Sequence, residues 1–210
     1  EAYLGSYGLE WNETTDTYRR IGSENYTAIQ SLMKRCVLNA DGSVKYYLDP
    51  NNSNYKEDGT LAKLDGTDGN VMVEVPKTYV RYEYSTTGGT GTDTVHRWEA
   101  SLTQDTGFEA HWAFDRGGSI RDKRYYPAYL GYVTNGKMIS RSGVYPTVSQ
   151  TLAQFRAAAK ANSISNPSSG QTANGYWGNI DFALYGLITL LAVIEYGTMN
   201  IQSALGRGRT

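Results

Sequence analysis

The chain has 210 residues and a mass of 23.2 kDa, enough to bury a core without metals or disulfides. Its 20 Lys+Arg against 21 Asp+Glu leave a formal net charge of −1, which removes any long-range pull toward nucleic acid or an anionic membrane. A composition 40% hydrophobic and 20% charged excludes a disordered chain, and one cysteine, Cys36, excludes an intrachain disulfide or a thiolate metal cluster.

Tyr (18) and Gly (23) far outnumber Phe (4) and Pro (5), which predicts many turns and a surface rich in amphipathic rings, as in adhesive β-rich proteins. The opening, Tyr3 to Trp11, alternates apolar and small residues as a short strand does, and Asn12 to Thr17 is a polar turn. Tyr26, Ile29, Leu32, Met33 and Cys36 fall at helical spacing and predict a short helix within 26–38, with Cys36 a buried thiol. Asn39 to Gly42 is a turn and Val44 to Leu48 a strand. The polar stretch 49–70 is rich in Asp and Asn. Counted from Asp49, the positions where an EF-hand needs Gly and Glu hold Asn54 and Thr60, so no bound cation is expected.

Val71 to Pro76 and Tyr79 to Tyr84 are strand sequences, Thr87 to Gly91 is a hairpin tip, and Thr94 to Glu99 is the returning strand. Alternation puts Val95, Arg97 and Glu99 on one face and His96 and Trp98 on the other. Pro76 restricts its strand to an edge or a bend. Residues 107–132 are aromatic without a period, which predicts short strands and loops. A helix over 149–160 opens with the capping box Thr151-x-x-Gln154 and turns Leu152, Phe155 and Ala159 inward. After a Ser/Asn/Gly loop at 162–174, a second helix runs from about Asp181 to Tyr196. Asn179 or Asp181 caps it and Gly197 stops it. This helix is apolar nearly all round, which predicts a central element with Leu187, Leu190, Leu191 and Ile194 buried. Its longest uncharged run, Phe182 to Ile194, is 13 residues. A bilayer span takes about 20, so a soluble chain without a leader or membrane insertion is expected. Residues 200–210 close no element, as if the chain continues or is cut beyond Thr210.

No G-x-S-x-G nucleophile motif occurs, and His111 stands in an aromatic stretch where a hydrogen-bonded core role fits. Glu195, near the end of the apolar helix, is the carboxylate expected to be buried against backbone or Arg. Gly88 to Gly91 is followed by a β pattern, so it is a hairpin tip and not a phosphate loop. The expectation is a binding protein with no catalytic residues, metal or cofactor. Contact falls to the Gly/Asn loop with Tyr176, Trp177 and Asn179, and to the tail arginines Arg207 and Arg209. The competing reading of Trp177 is a core plug beside the long helix.

Several blocks occur in a telling order: Val71-Met-Val-Glu-Val-Pro-Lys77, Gly107-Phe108 with His111-x-Ala-Phe114, Tyr126 with Tyr129-Leu-Gly131, and Ser142-Gly143 with Pro146. Phe155-Arg156-x-x-Ala159, Tyr176-Trp177 with Asp181, and Ile194 to Gln202 follow. Upstream stand Tyr7 to Trp11, Arg19 to Gly22, Met33 to Leu38 and Tyr47 to Asn51. This order resembles the phage tail-fibre and receptor-binding proteins with a C-type-lectin-like domain, including the variable proteins of diversity-generating retroelements. The resemblance implies an α+β, C-type-lectin-like fold of small antiparallel sheets braced by two main helices. It implies 1–70 as the N-terminal part and 71–210 as the lectin-like core, cut short at its C-terminal end. It further implies a virion location, a homo-oligomer, other virion proteins as neighbours and a host-surface glycan or protein receptor as partner. The alternatives are a structural head, collar or tail decoration and a phage-tail glycan depolymerase. Two departures stand out: His111-Trp112-Ala113-Phe114 replaces the family's His-Pro-Ala-Phe, and the ligand-contacting segment that follows the Asn200–Gly208 match in the family has no counterpart before Thr210.

Overall fold

The structure is a computed structural model that describes residues 5–88, 93–162 and 177–206. In chain order the strands begin with β1 (Tyr7–Asn12), β2 (Thr17–Gly22), β3 (Lys34–Leu38), β4 (Val44–Tyr47), β5 (Asn70–Pro76) and β6 (Tyr79–Gly88). They continue with β7 (Asp93–Ser101), β8 (Glu109–Ala110), β9 (Lys123–Pro127), β10 (Tyr132–Thr134) and β11 (Lys137–Ile139). The helices are α1 (Leu152–Lys160), α2 (Phe182–Tyr196) and α3 (Ile201–Leu205), with 3-10 turns at Gln30–Leu32 and Trp112–Phe114. The fold is mixed α+β with mostly antiparallel sheets. No described helix is long and apolar enough to cross a membrane.

Two compact units are assembled from alternating segments. The first comprises Glu1–Leu32, Pro76–Asp122 and Phe182–Thr210, the second Met33–Val75 and Lys123–Asp181. The expected division at residue 70 falls at the start of β5.

The first unit holds a five-stranded sheet in the order β2-β1-β7-β6-β8. The hairpin of β6 and β7 forms as the alternation predicts, with Tyr82 opposite Trp98 and Tyr84 opposite His96; residues 89–92 of its tip lie outside the described residues. Helix α2 packs on β1 and β7. Leu187, Leu191 and Ile194 are buried on it, whereas Leu190 is only half-buried and Phe182 and Tyr185 are exposed. The all-round apolar composition therefore does not make a helix enclosed on every side. At Gly197, φ is +67° and its N–H donates to the Val193 carbonyl, which ends the helix in the left-handed region. The tail, expected to close no element, forms α3, whose cap is Asn200 Oδ1 accepting from the Ser203 N–H at 3.1 Å. Truncating Leu191, 1% exposed, to Ala is expected to cost about 2–5 kcal/mol from lost transfer energy and the cavity left behind. Urea denaturation of the variant reads this directly.

The second unit holds a four-stranded sheet, β4-β3-β5-β9, and the hairpin β10-β11. The helix predicted within 26–38 is corrected here: one 3-10 turn precedes strand β3. Cys36, Val37 and Leu38 are buried in succession, which a strand covered on both faces achieves and one face of a helix does not. Cys36 and Leu38 pack with Met72, while Val37 packs with Leu48 and Val71. Pro76 is the last residue of β5, and β5 lies inside the sheet between β3 and β9, so the proline closes the strand without making it an edge. Within 49–70 the Asx side chains hold their own backbone. Asp49 accepts from the N–H groups of Asn51 and Asn52, and Asp58 and Asp65 accept from those of Thr60 and Thr67. Helix α1 opens with the expected capping box, Gln154 N–H to Thr151 Oγ1 at 3.3 Å and Thr151 N–H to Gln154 Oε1 at 2.7 Å. Its inner side is Ala158 and Ala159 with half-buried Phe155, and Leu152, expected inward, is 57% exposed. That residue opens the first turn, where the cap sets the entry of the chain before the helix meets β11.

Candidate functional site

An aromatic surface emerges where four strands of the five-stranded sheet bring alternate residues to one face. The row Tyr18, Trp11, His96, Tyr84 crosses β2, β1, β7 and β6 in register, and Trp98 and Tyr82 stand in the next row. Residues opposite one another on the same face have Cβ atoms about 5 Å apart, close enough for rings to meet. They do meet. Trp11 stacks on Tyr18 at 6.4 Å between centroids and on His96 at 5.0 Å. His96 stacks on Trp98 at 5.6 Å with planes 6° apart, and Tyr82 stacks on Trp98 at 5.7 Å. Tyr84 meets the His96 ring edge-on at 5.2 Å. The same face continues at Leu9, beside Trp98, and at Tyr7, beside Ala100, where it is buried. The aromatic end is open: Tyr82 is 55% and Tyr84 57% exposed.

His96 holds this surface together through polar contacts. Its Nε2 lies 3.1 Å from Glu13 Oε2 and its Nδ1 2.9 Å from the Tyr82 hydroxyl. A carboxylate only accepts, so the neutral ring carries its proton on Nε2 and accepts from Tyr82 at Nδ1. Trp11 Nε1 donates to Asp16 Oδ1 at 3.1 Å. Rotation of three of the six rings is thereby restricted before any partner arrives, which lowers the ordering cost of contact.

The opposite face of the sheet is ionic. Glu10 accepts from Arg19 Nε at 3.0 Å and Arg97 Nε at 2.6 Å, and Glu99 accepts from Arg81 Nε at 2.9 Å and from the Ser6 hydroxyl at 3.1 Å. Burial raises the Glu10 pKa, but the hydrogen bonds and charges of Arg97 and Arg19 outweigh it, and the carboxyl is held below its usual range. A proton donor at neutral pH needs the reverse shift.

Other groups with chemical potential are placed against reactivity. Burial pushes the Cys36 thiol up to about 12, with the Glu74 charge adding to the effect, and a thiol so shifted is a poor nucleophile. In the folded chain Cys36 is therefore expected to resist an aromatic disulfide reagent at pH 8, reacting only on addition of denaturant; rapid labelling of native protein would contradict its burial. His111 is lowered by burial, and its Nδ1 accepts from the Ala113 N–H at 3.1 Å to cap the second 3-10 turn, the core role expected of it. Glu74 Oε2 accepts from the hydroxyls of Tyr47 and Tyr125 and from Lys123 Nζ, at 2.9, 3.1 and 2.9 Å. Both tyrosines are raised, first by burial, which keeps their phenols protonated. Glu195 accepts from Gln30 Nε2 through Oε2 at 3.1 Å, a side-chain partner in place of the expected backbone or Arg. Among the described residues no group of three or more His, Cys, Asp or Glu is placed to hold a metal.

Of the predicted contact residues, Trp177 and Asn179 are described, and Tyr176, Arg207 and Arg209 lie outside the described residues. Trp177 is half-buried, donates from Nε1 to the Ala40 carbonyl at 2.8 Å and packs against the Cys36, Leu38 and Met72 cluster. It plugs a core, the one built by β3 and β5. Asn179 is half-buried, with Oδ1 buried and unpartnered, so that atom makes no helix cap; Asp181 Oδ2 accepts from Arg124 at 2.9 Å. The sequence reading missed the aromatic face as a site. Its signal was present in the His96/Trp98 and Tyr82/Tyr84 alternations, but nothing in a single strand says that Trp11 and Tyr18 join them.

No family model matches the chain, and neither a curated protein nor a solved structure matches it.

Proposed function

We propose that this chain is a non-enzymatic phage virion protein of the tail-fibre or receptor-binding kind, with a C-type-lectin-like fold, and that it recognises the host surface through the aromatic face of its five-stranded sheet. The observation that carries the reading is the contiguous ring array of Trp11, Tyr18, Tyr82, Tyr84, His96 and Trp98, half-buried along four of its rings and open at Tyr82 and Tyr84. Rigid amphipathic rings give large contact area at low entropic cost, and contiguous exposed aromatic patches mark interaction sites. The order of sequence blocks that resembles phage receptor-binding proteins supports a virion context. Glu10 and Glu99, each paired with arginine, support binding over the two-carboxylate chemistry of a depolymerase.

The test is adsorption. Purified chain should compete with the phage that carries it for host cells, and antibody against it should label the tail. Tyr82→Ala/Tyr84→Ala, two exposed positions, should weaken host binding about 30-fold, the size of one interface hot spot, with the melting temperature preserved. Unchanged adsorption, or label confined to head or collar, transfers the protein to the structural alternative.

A further inference from the structure

Elsewhere in the chain the fold seats its own cations on tyrosine rings. Arg20 lies 4.8 Å from the centroid of Tyr26, Lys56 4.8 Å from that of Tyr46 and Lys77 5.8 Å from that of Tyr79. The face of such a ring is the negative pole of its quadrupole and attracts positive charge. The aromatic face of the five-stranded sheet is different. Among the described residues no Lys or Arg stands over Trp11, Tyr18, Tyr82, Tyr84 or Trp98. Arg20, opposite Leu9 on that face, is turned at the far end to Tyr26 and the Glu195 carbonyl.

The charge beside these rings is negative. Glu13 and Asp16, both exposed between β1 and β2, accept from Nε2 of His96 and Nε1 of Trp11. Their donors are a neutral imidazole and an indole, so both carboxylates keep their charge at the open end of the array. Tyr82 and Tyr84 meet that charge through the same imidazole: Tyr82 bonds Nδ1, and Tyr84 lies against the ring at 5.2 Å. Their planes stand 26° and 61° from the imidazole, so the two open phenols are inclined to each other. Inclined, electron-rich rings beside carboxylates complement a bulky cation. A primary ammonium brings three donors and a guanidinium five, each of which needs an acceptor, and one oxygen of each carboxylate is already engaged. Trimethylammonium brings no donor at all and is held by ring faces and charge alone.

We infer that the aromatic face takes a quaternary ammonium group of the choline type, displayed on the host surface. This ligand class rests on the reading of the face as the recognition surface. The probe is choline chloride, compared with the neutral alcohol in which carbon replaces the charged nitrogen. NMR titration of the full chain should show saturable upfield shifts of the choline methyl protons, with the neutral isostere binding about 10-fold more weakly. Tyr84→Leu keeps an apolar surface without a π face and should erase that preference, whereas Tyr84→Phe should keep it. Glu13→Gln, whose amide oxygen still accepts from His96, should weaken choline about 3-fold and leave the isostere unchanged. Both positions are exposed, so the melting temperature should hold. No saturable choline binding, equal binding of the isostere, or a preference indifferent to Tyr84→Leu would each overturn the inference. Choline should also compete with host cells for the chain. Choline binding that leaves adsorption unchanged keeps the quaternary-ammonium site and removes the receptor reading. Adsorption lost in Tyr82→Ala/Tyr84→Ala without any choline binding does the reverse.

Discussion

Replacing Arg81 with Ala is expected to cost about 3–5 kcal/mol of folding stability, because it leaves the Glu99 carboxylate buried without its counter-ion. Glu99 is 5% exposed and otherwise holds the Ser6 hydroxyl. Both Arg81 Nε and Nη2 donate to the same carboxylate oxygen, and the guanidinium lies 4.9 Å from the Phe108 ring centroid. Loss of the pair and loss of packing are separable. Arg81→Met keeps most of the stem but not the charge, and combining it with Glu99→Gln removes the orphaned charge as well. The double variant should regain most of what Arg81→Met loses. If Arg81→Ala costs under about 1 kcal/mol, water reaches Glu99 and the pair behaves as a surface one.

Stability should also fall steeply in alkali, beginning near pH 9. Cys36 is pushed from an ordinary thiol value to about 12, first by burial, and Tyr7 to about 12, first by burial and against the Ile29 N–H that its hydroxyl accepts. Both groups are held protonated in the folded chain. Their contribution is complete below the unfolded values, about 9 for the thiol and 10 for the phenol. As pH rises further, the unfolded chain ionises while the folded chain keeps its protons. Each group then removes about 1.4 kcal/mol per pH unit until its folded value is reached. The total is on the order of 4 kcal/mol for Cys36 and 3 kcal/mol for Tyr7 at pH 12. Urea denaturation at pH 8, 9 and 10 isolates the thiol, since the phenol enters only at the top of that range. Cys36→Ala should flatten the slope between pH 9 and 10; equal slopes in the two proteins would assign the loss elsewhere.

Local patterns read the chain well where one element satisfies itself. The β6–β7 hairpin, the Thr151–Gln154 capping box and the Gly197 stop depend on partners close by in sequence, and the chain adopts them as its alternation and cap chemistry dictate. The 26–38 segment shows the limit. Ile29 and Cys36 are both buried at helical spacing, but so are Val37 and Leu38, and the pairing of β3 with both β4 and β5 makes a strand the better use of that apolar run. A period alone does not distinguish the two when partners are unknown.

The sequence by itself determined the α+β composition, the apolar long helix, the inert buried thiol and the two-faced character of the β7 strand. These follow from residue type and spacing, which set hydration cost and local geometry wherever the chain goes. Tertiary structure alone decided which of those faces became a surface. Register brought Trp11 and Tyr18, far from β7 in sequence, beside His96 and Trp98. Trp177, in a loop whose composition suits a contact site, instead donated its indole N–H to Ala40 and filled a core. Helix α2 buried Leu187, Leu191 and Ile194 and left Phe182 and Tyr185 exposed. The reason is common to all three: an amphipathic ring or an apolar helix gains from burial against any matching surface, and only the assembled fold specifies which surface is in reach.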